Sequence, residues 1–381
     1  MEIDFKVINN AHTTITTVNK INSIQVLRGI AASIISIYHT KDLIDPASPL
    51  KPTMDFLFSS GAAGVNLFFV ISGFIMVYIT RYTTSSVQSF YTFIFKRFIR
   101  IWPTYALITI LYAFAVFHFN IYPEINNIIS SLVFLPLTLT GPPFYGYSVL
   151  PVGWSLNYEI YFYILVGSSI LFSQYKWLIF FSLIIITLIV IPLSTGHFTF
   201  DVNKTHNYNS RYINLITNPI VWNFVYGVII GLLYTNNFSF SILIKVFSRL
   251  WIVSLFIVLA VWQYLSGFFG GLGPLQWGVG SSALFIAFIF YTSNKPIIFP
   301  SWLIKLGDMS FSIYLMHFPV KILIETIFKK LQYPVYSSGT AMFFLTISIT
   351  VILSSLSYEY IEIKFSNFLR DLFPSFNSGQ R

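Results

Sequence analysis

Residues 57–80 read LFSSGAAGVNLFFVISGFIMVYIT, with no Asp, Glu, Lys, Arg or His among them. A helix crossing a bilayer needs about 20 mostly apolar residues, and this run is long enough. Apolar runs of similar length recur on both sides of it. Together they predict ten membrane-spanning helices near residues 22–41, 57–80, 99–118, 152–172, 177–194, 216–234, 248–265, 274–292, 306–328 and 339–360. The first and fourth are weak by hydropathy, because they contain Arg28 and His39, and Asn157 and Glu159. Ile128–Leu139 is apolar but too short to span. With Pro136 and Gly141-Pro142-Pro143 it reads as a re-entrant or surface segment.

Composition agrees. Charged residues are 9% of the 381, against roughly 25% in an ordinary soluble protein. Hydrophobic residues are 55%, with 41 Phe and 24 Tyr, and mean hydropathy is +0.73. A soluble α/β or all-β globule needs more surface charge, and disorder needs less apolar content. The expected fold is therefore all-α, a polytopic integral membrane protein forming one transmembrane domain over 1–381. Short cytoplasmic tails are expected at about 1–21 and 361–381. The chain has no Cys, which excludes disulfides, thiolate catalysis and Cys-ligated metals, and no metal site is expected. Met1–Lys20 is polar and does not resemble a cleaved signal peptide.

The net charge of +9 marks topology rather than nucleic-acid binding. With the N-terminus inside, 15 Lys and Arg fall on cytoplasmic connections and 6 on outer ones, and Lys321 falls within a span. This bias supports ten helices with both ends cytoplasmic. The outer connection over 119–151 has no Lys or Arg at all.

Ionisable groups inside a bilayer are costly and by default functional. Four stand out: Arg28, His39, Glu159 and His317. Plainer roles compete: Arg28 snorkelling to headgroups, His39 at the interface, Glu159 and His317 bonding helix to helix. Arg28 and His39 are eleven residues apart, about three turns and about 16 Å, so they share one helix face. Tyr314 and His317 share a face three residues apart. Arg97 and Arg100 repeat that spacing at the cytoplasmic mouth of the third span, forming with Arg28 a candidate anion clamp, since guanidinium forks suit phosphate oxygens. The small residues of 61–73 allow close helix approach or line a narrow path.

Five stretches in order resemble the acyltransferase family 3 membrane proteins, which O-acylate cell-surface carbohydrates. They are Ile24–His39, containing Arg, ten residues, then His; Gly64–Phe74; Phe95–Tyr105; Trp154–Glu159; and Leu306–Pro319. The resemblance covers nearly the whole chain. Asn66 stands where the family usually has Asp, and Tyr358–Lys364 lacks the Pro of the family's ending. Some relatives add an esterase-like C-terminal domain; this chain stops after the tenth span and is expected to act alone or with partners.

The resemblance implies acyl transfer from cytoplasmic acyl-CoA, foremost acetyl-CoA and secondly a succinyl donor, to a sugar hydroxyl. No permanently bound cofactor is implied. The chemistry needs a base, an anion site and polarisation of the thioester carbonyl. His39 is the candidate base, since imidazole titrates near pH 6.5. Glu159 would orient it or bind the acceptor. Arg28, Arg97 and Arg100 would hold the CoA phosphates. Tyr314, His317, Trp154 and Asn157 would line the acceptor pocket. The expected partners are acyl-CoA, a carbohydrate or glycolipid acceptor, membrane lipids and polysaccharide-assembly proteins, with no nucleic acid, and the expected location is the bacterial inner membrane. The rival reading is a multi-span transporter or flippase for a small molecule or glycolipid, for which buried His, Glu and Arg serve equally well. A non-enzymatic scaffold would leave those polar groups dispensable.

Overall fold

The computed structural model describes residues 21–117, 120–204, 207–295, 297–332 and 338–373. The expected tail over 1–20 and the last residues from 374 lie outside them. Among the described residues the regular structure is all helical. The principal helices are α1 (Asn22–Thr40), α2 (Lys51–Phe58), α3 (Ala63–Thr80), α4 (Val87–Val116), α5 (Ile125–Leu132), α6 (Trp154–Ile170) and α7 (Ser173–Ser194). They continue with α8 (Trp222–Thr235), α9 (Asn237–Phe247), α10 (Leu250–Ser266), α11 (Trp277–Asn294), α12 (Ser301–Asp308), α13 (Ser310–Lys330) and α14 (Thr340–Leu372). Each of the ten predicted stretches is occupied by one of these helices.

Among the described residues, five helical runs are long and apolar enough to cross a membrane: Lys51–Thr80, Val87–Val116, Ser173–Ser194, Ser310–Phe328 and Thr340–Leu372. A sixth arises if α8 and α9, bent by 99°, count as one broken span. α1 is rich in Ile, but its Asn, Gln, Arg, His, Ser and Thr keep it out of that class.

Two boundaries differ from expectation. α4 starts at Val87, twelve residues before the expected 99. Ser86 caps it by accepting from the Ser89 backbone N–H, which satisfies an otherwise orphaned donor. Arg97 and Arg100 therefore sit well inside the helix rather than at its mouth. At the other end, α14 runs past the expected stop at 360 through a π-helical stretch, Tyr358–Phe365, to Leu372. Ser366 Oγ donates to the Ile99 carbonyl at 3.3 Å, which holds this extension against α4. Without the Pro of the family's ending, no residue in the stretch lacks its N–H and forces a stop.

Glycines set the closest crossing. A Cβ on Gly227 of α8 would lie 1.9 Å from the Val70 carbonyl oxygen, and one on Gly73 of α3 would lie 2.1 Å from the Phe224 oxygen. Only hydrogen fits at either position. The adjoining face of α3 carries Val65, Phe68, Phe69, Ser72, Ile75 and Met76, which line a cavity.

Connections predicted on one side lie together. Lys176 Nζ donates to the Thr80 carbonyl at 2.7 Å and Ser85 Oγ to the Leu171 carbonyl at 2.7 Å, joining the α3–α4 and α6–α7 ends. At the opposite ends, Tyr145 OH donates to the Asn214 carbonyl at 2.8 Å, and the Gly339 N–H reaches the Leu43 carbonyl at 2.6 Å. The short apolar stretch forms α5, which does not span. Tyr105 OH and Trp102 Nε1 of α4 donate to the carbonyls of Ser131 and Leu132, at 3.2 and 3.0 Å, and fix it in place.

Candidate active site

An open cavity of about 720 Å³ lies between α1, α3, α4, α6 and α13. Arg28, Arg97, Arg100, Glu159 and Tyr314 all line it. Three guanidiniums thus reach one space from two helices, and their placement follows from the helical register. Arg97 and Arg100 share a face of α4. Arg28 faces the same space from the first half of α1, where Gly29 lets α12 approach so closely that a Cβ would meet the Gly307 nitrogen at 2.8 Å.

Arg97 is 5% exposed. Its Nη1 has no hydrogen-bond partner among the described residues. A buried, unsatisfied guanidinium nitrogen costs free energy unless something binds it. Arg28 Nη1 donates to Gln25 Oε1 at 3.1 Å. Glu159 accepts from Ser72 Oγ at 3.4 Å and from Tyr163 OH. It lies within electrostatic range of Arg28 and Arg97. These partners make Glu159 a counter-charge in the arginine cluster.

His39 and His317 do not line this cavity. They meet one another farther along α1, rings stacked at 5.3 Å and 22°. Stacked rings present faces, not nitrogens, to each other, so neither imidazole hydrogen-bonds the other. His317 is fully buried; its Nδ1 lies 3.2 Å from the Ile313 carbonyl oxygen, and its Nε2 has no partner among the described residues. With Nδ1–H donating, Nε2 carries the free lone pair. Tyr314 joins the two regions. It lines the cavity, its ring lies 6.1 Å from that of His317, and its hydroxyl meets Ser155 Oγ at 2.8 Å and the Val152 carbonyl at 2.8 Å. The cationic cavity and the imidazole pair therefore lie on either side of Tyr314.

Trp154 and Asn157 face elsewhere than the cavity. Trp154 packs edge-on against Phe144 at 4.8 Å, and Asn157 is buried with its Oδ1 unpartnered among the described residues.

A family model described as an acyltransferase domain matches residues 21–359. The chain belongs to the acyltransferase family 3. Among known relatives it is 34% identical over 182 residues to exopolysaccharide production protein ExoZ of Rhizobium meliloti (strain 1021), covering 46% of this chain and 51% of that protein. It is 24% identical over 339 residues to O-acetyltransferase OatA of Staphylococcus aureus (strain NCTC 8325 / PS 47), covering 80% and 52%. It is also 24% identical over 352 residues to a putative O-acetyltransferase of Staphylococcus aureus (strain COL), covering 81% and 53%. The chain spans about half the length of the curated relatives it matches. No solved structure matches it.

In this family member several residues near the site escape a reading of apolar runs. Glu362, in the extension of α14, accepts from Ser312 Oγ at 2.5 Å and faces Arg100 and Arg28. Asp308 also lies within range of Arg28. Lys321, one turn after His317, donates from Nζ to the His39 carbonyl at 2.9 Å and ties the last turn of α1 to α13. Its signal was present in the sequence, as a lone cation inside a span at i+4 from His317. Asn66 has a reason to be Asn: its Nδ2 donates to the Leu272 carbonyl at 2.8 Å, which an ionised Asp could not do.

Proposed function

We propose that the chain is a multi-pass membrane O-acyltransferase that moves an acetyl group from acetyl-CoA, bound from the cytoplasmic side, to a hydroxyl of an exported polysaccharide or oligosaccharide in the bacterial inner membrane. The observation that carries this reading is the gathering of three guanidiniums at one cavity, with an imidazole pair just beyond Tyr314. The guanidiniums are those of Arg28, Arg97 and Arg100, and the imidazoles those of His39 and His317. Ten spans with both termini cytoplasmic agree with the 15 to 6 bias of basic residues and with the grouping of helix ends. The carbohydrate acceptor rests on the exopolysaccharide protein among the relatives, and the acetyl group on the relatives named O-acetyltransferase.

The three guanidiniums match the phosphates of a CoA donor, and the separation of about 16 Å along α1 from Arg28 to His39 suits an extended pantetheine arm. His39 accepts the proton of the sugar hydroxyl while that oxygen attacks the thioester carbonyl carbon. The C–S bond breaks, and the CoA thiolate leaves and takes a proton back from His39. Tyr314, whose hydroxyl donates to the Val152 carbonyl and meets Ser155, lines the way from the arginines to the imidazole pair with its ring. Glu159 balances the arginine charge, so an anionic donor is bound without an excess of buried cations. Trp154 and Asn157, with His317, belong to the acceptor side.

Membrane vesicles given labelled acetyl-CoA and candidate glycans test the reading. His39→Ala is expected to abolish transfer while the protein remains inserted. Arg28→Ala should raise the donor KM about 10-fold or more, from about 1.5–3 kcal/mol per charge-assisted hydrogen bond, with the acceptor KM little changed. Full activity in His39→Ala, or an acceptor-only defect in Arg28→Ala, refutes it.

A further inference from the structure

The Phe95–Tyr105 stretch holds one cation that the donor cavity does not use. Lys96 precedes Arg97 on α4 and stands four residues before Arg100. Residues four apart lie one above the other on a helix face, about 6 Å apart along the axis. Arg100 lines the cavity. Lys96 therefore stands one turn beyond it, toward the end of α4 at Val87, which the reading above places in the cytoplasm.

The extension of α14 brings a second cation to the same place. Two contacts fix its register. Ser366 Oγ donates to the Ile99 carbonyl at 3.3 Å, and the Phe373 ring meets that of Phe95 edge-on, centroids 5.4 Å apart at 75°. The two segments thus run antiparallel. Arg370, one turn after Ser366, falls between these contacts and opposite Lys96. Its Nη1 donates to Asn367 Oδ1 at 3.3 Å, and it lies within electrostatic range of Lys96 and Arg100. Lys96 and Arg370 are each half-buried, whereas the carboxylate beside them in sequence, Asp371, is exposed. Like charges at helical spacing repel, so this column of cations favours an anion beside it.

Charge matching says which anion. Three guanidiniums and one carboxylate, Glu159, line the cavity, which leaves two positive charges there. A diphosphate matches them. The ribose of a CoA donor bears a further phosphate at its 3′ position, a monoester of about −1.5 to −2 at neutral pH. The cavity lining holds no further cation for it.

We infer that Lys96 and Arg370 bind the 3′-phosphate of the acyl-CoA donor, while Arg28, Arg97 and Arg100 hold its diphosphate. This rests on the acyl-CoA reading above and adds a second phosphate subsite. The terminal oxygens of a monoester suit both a guanidinium fork and an ammonium. The extension of α14 thereby carries an arginine to the donor.

A lipid headgroup phosphate shares this chemistry, and the test separates the two sources. The detergent-solubilised full chain is titrated calorimetrically with CoA and with 3′-dephospho-CoA. The wild type is expected to bind CoA about 10-fold or more tighter. Lys96→Gln and Arg370→Gln should each lose most of that preference and keep their affinity for 3′-dephospho-CoA, which also shows that they are folded. Equal affinities in the wild type, a preference that survives both substitutions, or an equal loss for both ligands overturns the subsite. A lipid role also overturns it: the two ligands would then bind alike, and phosphatidylglycerol in the micelle would raise the melting midpoint of the wild type and of neither variant. Failure of the acyl-CoA reading itself looks different, since neither ligand would bind and wild-type membranes would transfer no label from acetyl-CoA.

Discussion

Adding a single methyl group at Gly227 probes the arrangement of the whole cavity. The new Cβ would lie 1.9 Å from the Val70 carbonyl oxygen and 2.9 Å from Gly73 Cα, where ordinary contact begins at 3.4 Å. The obstructing atoms are backbone, so no rotamer relieves the clash, and α3 and α8 must separate by about 1.5 Å along that line. Overpacking of this kind costs about 3 kcal/mol, or roughly 4 °C in melting midpoint for a chain of this size. The separation also reaches the chemistry. Ser72, beside Gly73, donates to Glu159 at 3.4 Å and lines the donor cavity, a contact that cannot stretch further and survive. Gly227→Ala should therefore lower the thermal midpoint of the solubilised protein and raise the donor KM together. Gly73→Ala should do the same, and the double variant should cost less than the sum, because one separation accommodates both methyls. Heating with detection by size-exclusion chromatography, alongside vesicle transfer assays, reads both quantities. A Gly227→Ala protein with the wild-type midpoint and full activity would refute the crossing as described.

Lys321→Met should lower kcat about 10-fold, on the basis of about 1.5 kcal/mol for a charge-assisted hydrogen bond to the His39 carbonyl. Lys321→Arg should restore part of it, and unchanged kcat in Lys321→Met would show that His39 needs no such tether. Glu362→Gln removes a carboxylate that competes with the donor for Arg100 and Arg28. Donor KM should fall about threefold, as expected for a partly solvated charge pair of up to about 1 kcal/mol, and a rise in KM would contradict that role. Asn66→Asp loses the donor to Leu272 and should destabilise the protein by about 1–3 kcal/mol, measured as a lower melting midpoint.

The parts of the site that were legible share one property: they are polar groups isolated within apolar runs. Arg28, His39, Glu159 and His317 stood out for that reason, Arg97 and Arg100 as a basic pair and Tyr314 by its spacing to His317; the structure brings Arg28, Arg97, Arg100, Glu159 and Tyr314 to one cavity and leaves the two His outside it. Helical spacing supplied the rest, since residues three, four or eleven apart must share a face. What could not be read was the pairing between distant helices. Nothing local predicts that His39 stacks on His317, or that Glu159 sits with the arginines rather than beside His39. Glu362 was hidden by a boundary: hydropathy falls near residue 360, yet the helix persists because packing of Ser366 on α4 outweighs the loss of apolar character. The early start of α4 has the same origin, a cap at Ser86 that a hydropathy window does not register. Of the small residues of 61–73, Gly61, Gly64 and Gly73 serve close helix approach, and Ser72 lines the cavity.

The cationic cavity and the 119–151 connection would also differ in how they draw ligands in. Around Arg28, Arg97 and Arg100, capture of an anionic donor would work through a field, which shrinks to a Debye length of about 10 Å at 0.1 M salt. The 119–151 connection contains no Lys or Arg, so attraction of an acceptor there would be short-ranged and nearly indifferent to salt. One enzyme would then carry two unlike ionic-strength responses. Salt should erode donor capture and leave acceptor capture standing, so the rate-limiting ligand would change as the cytoplasmic ionic strength rises.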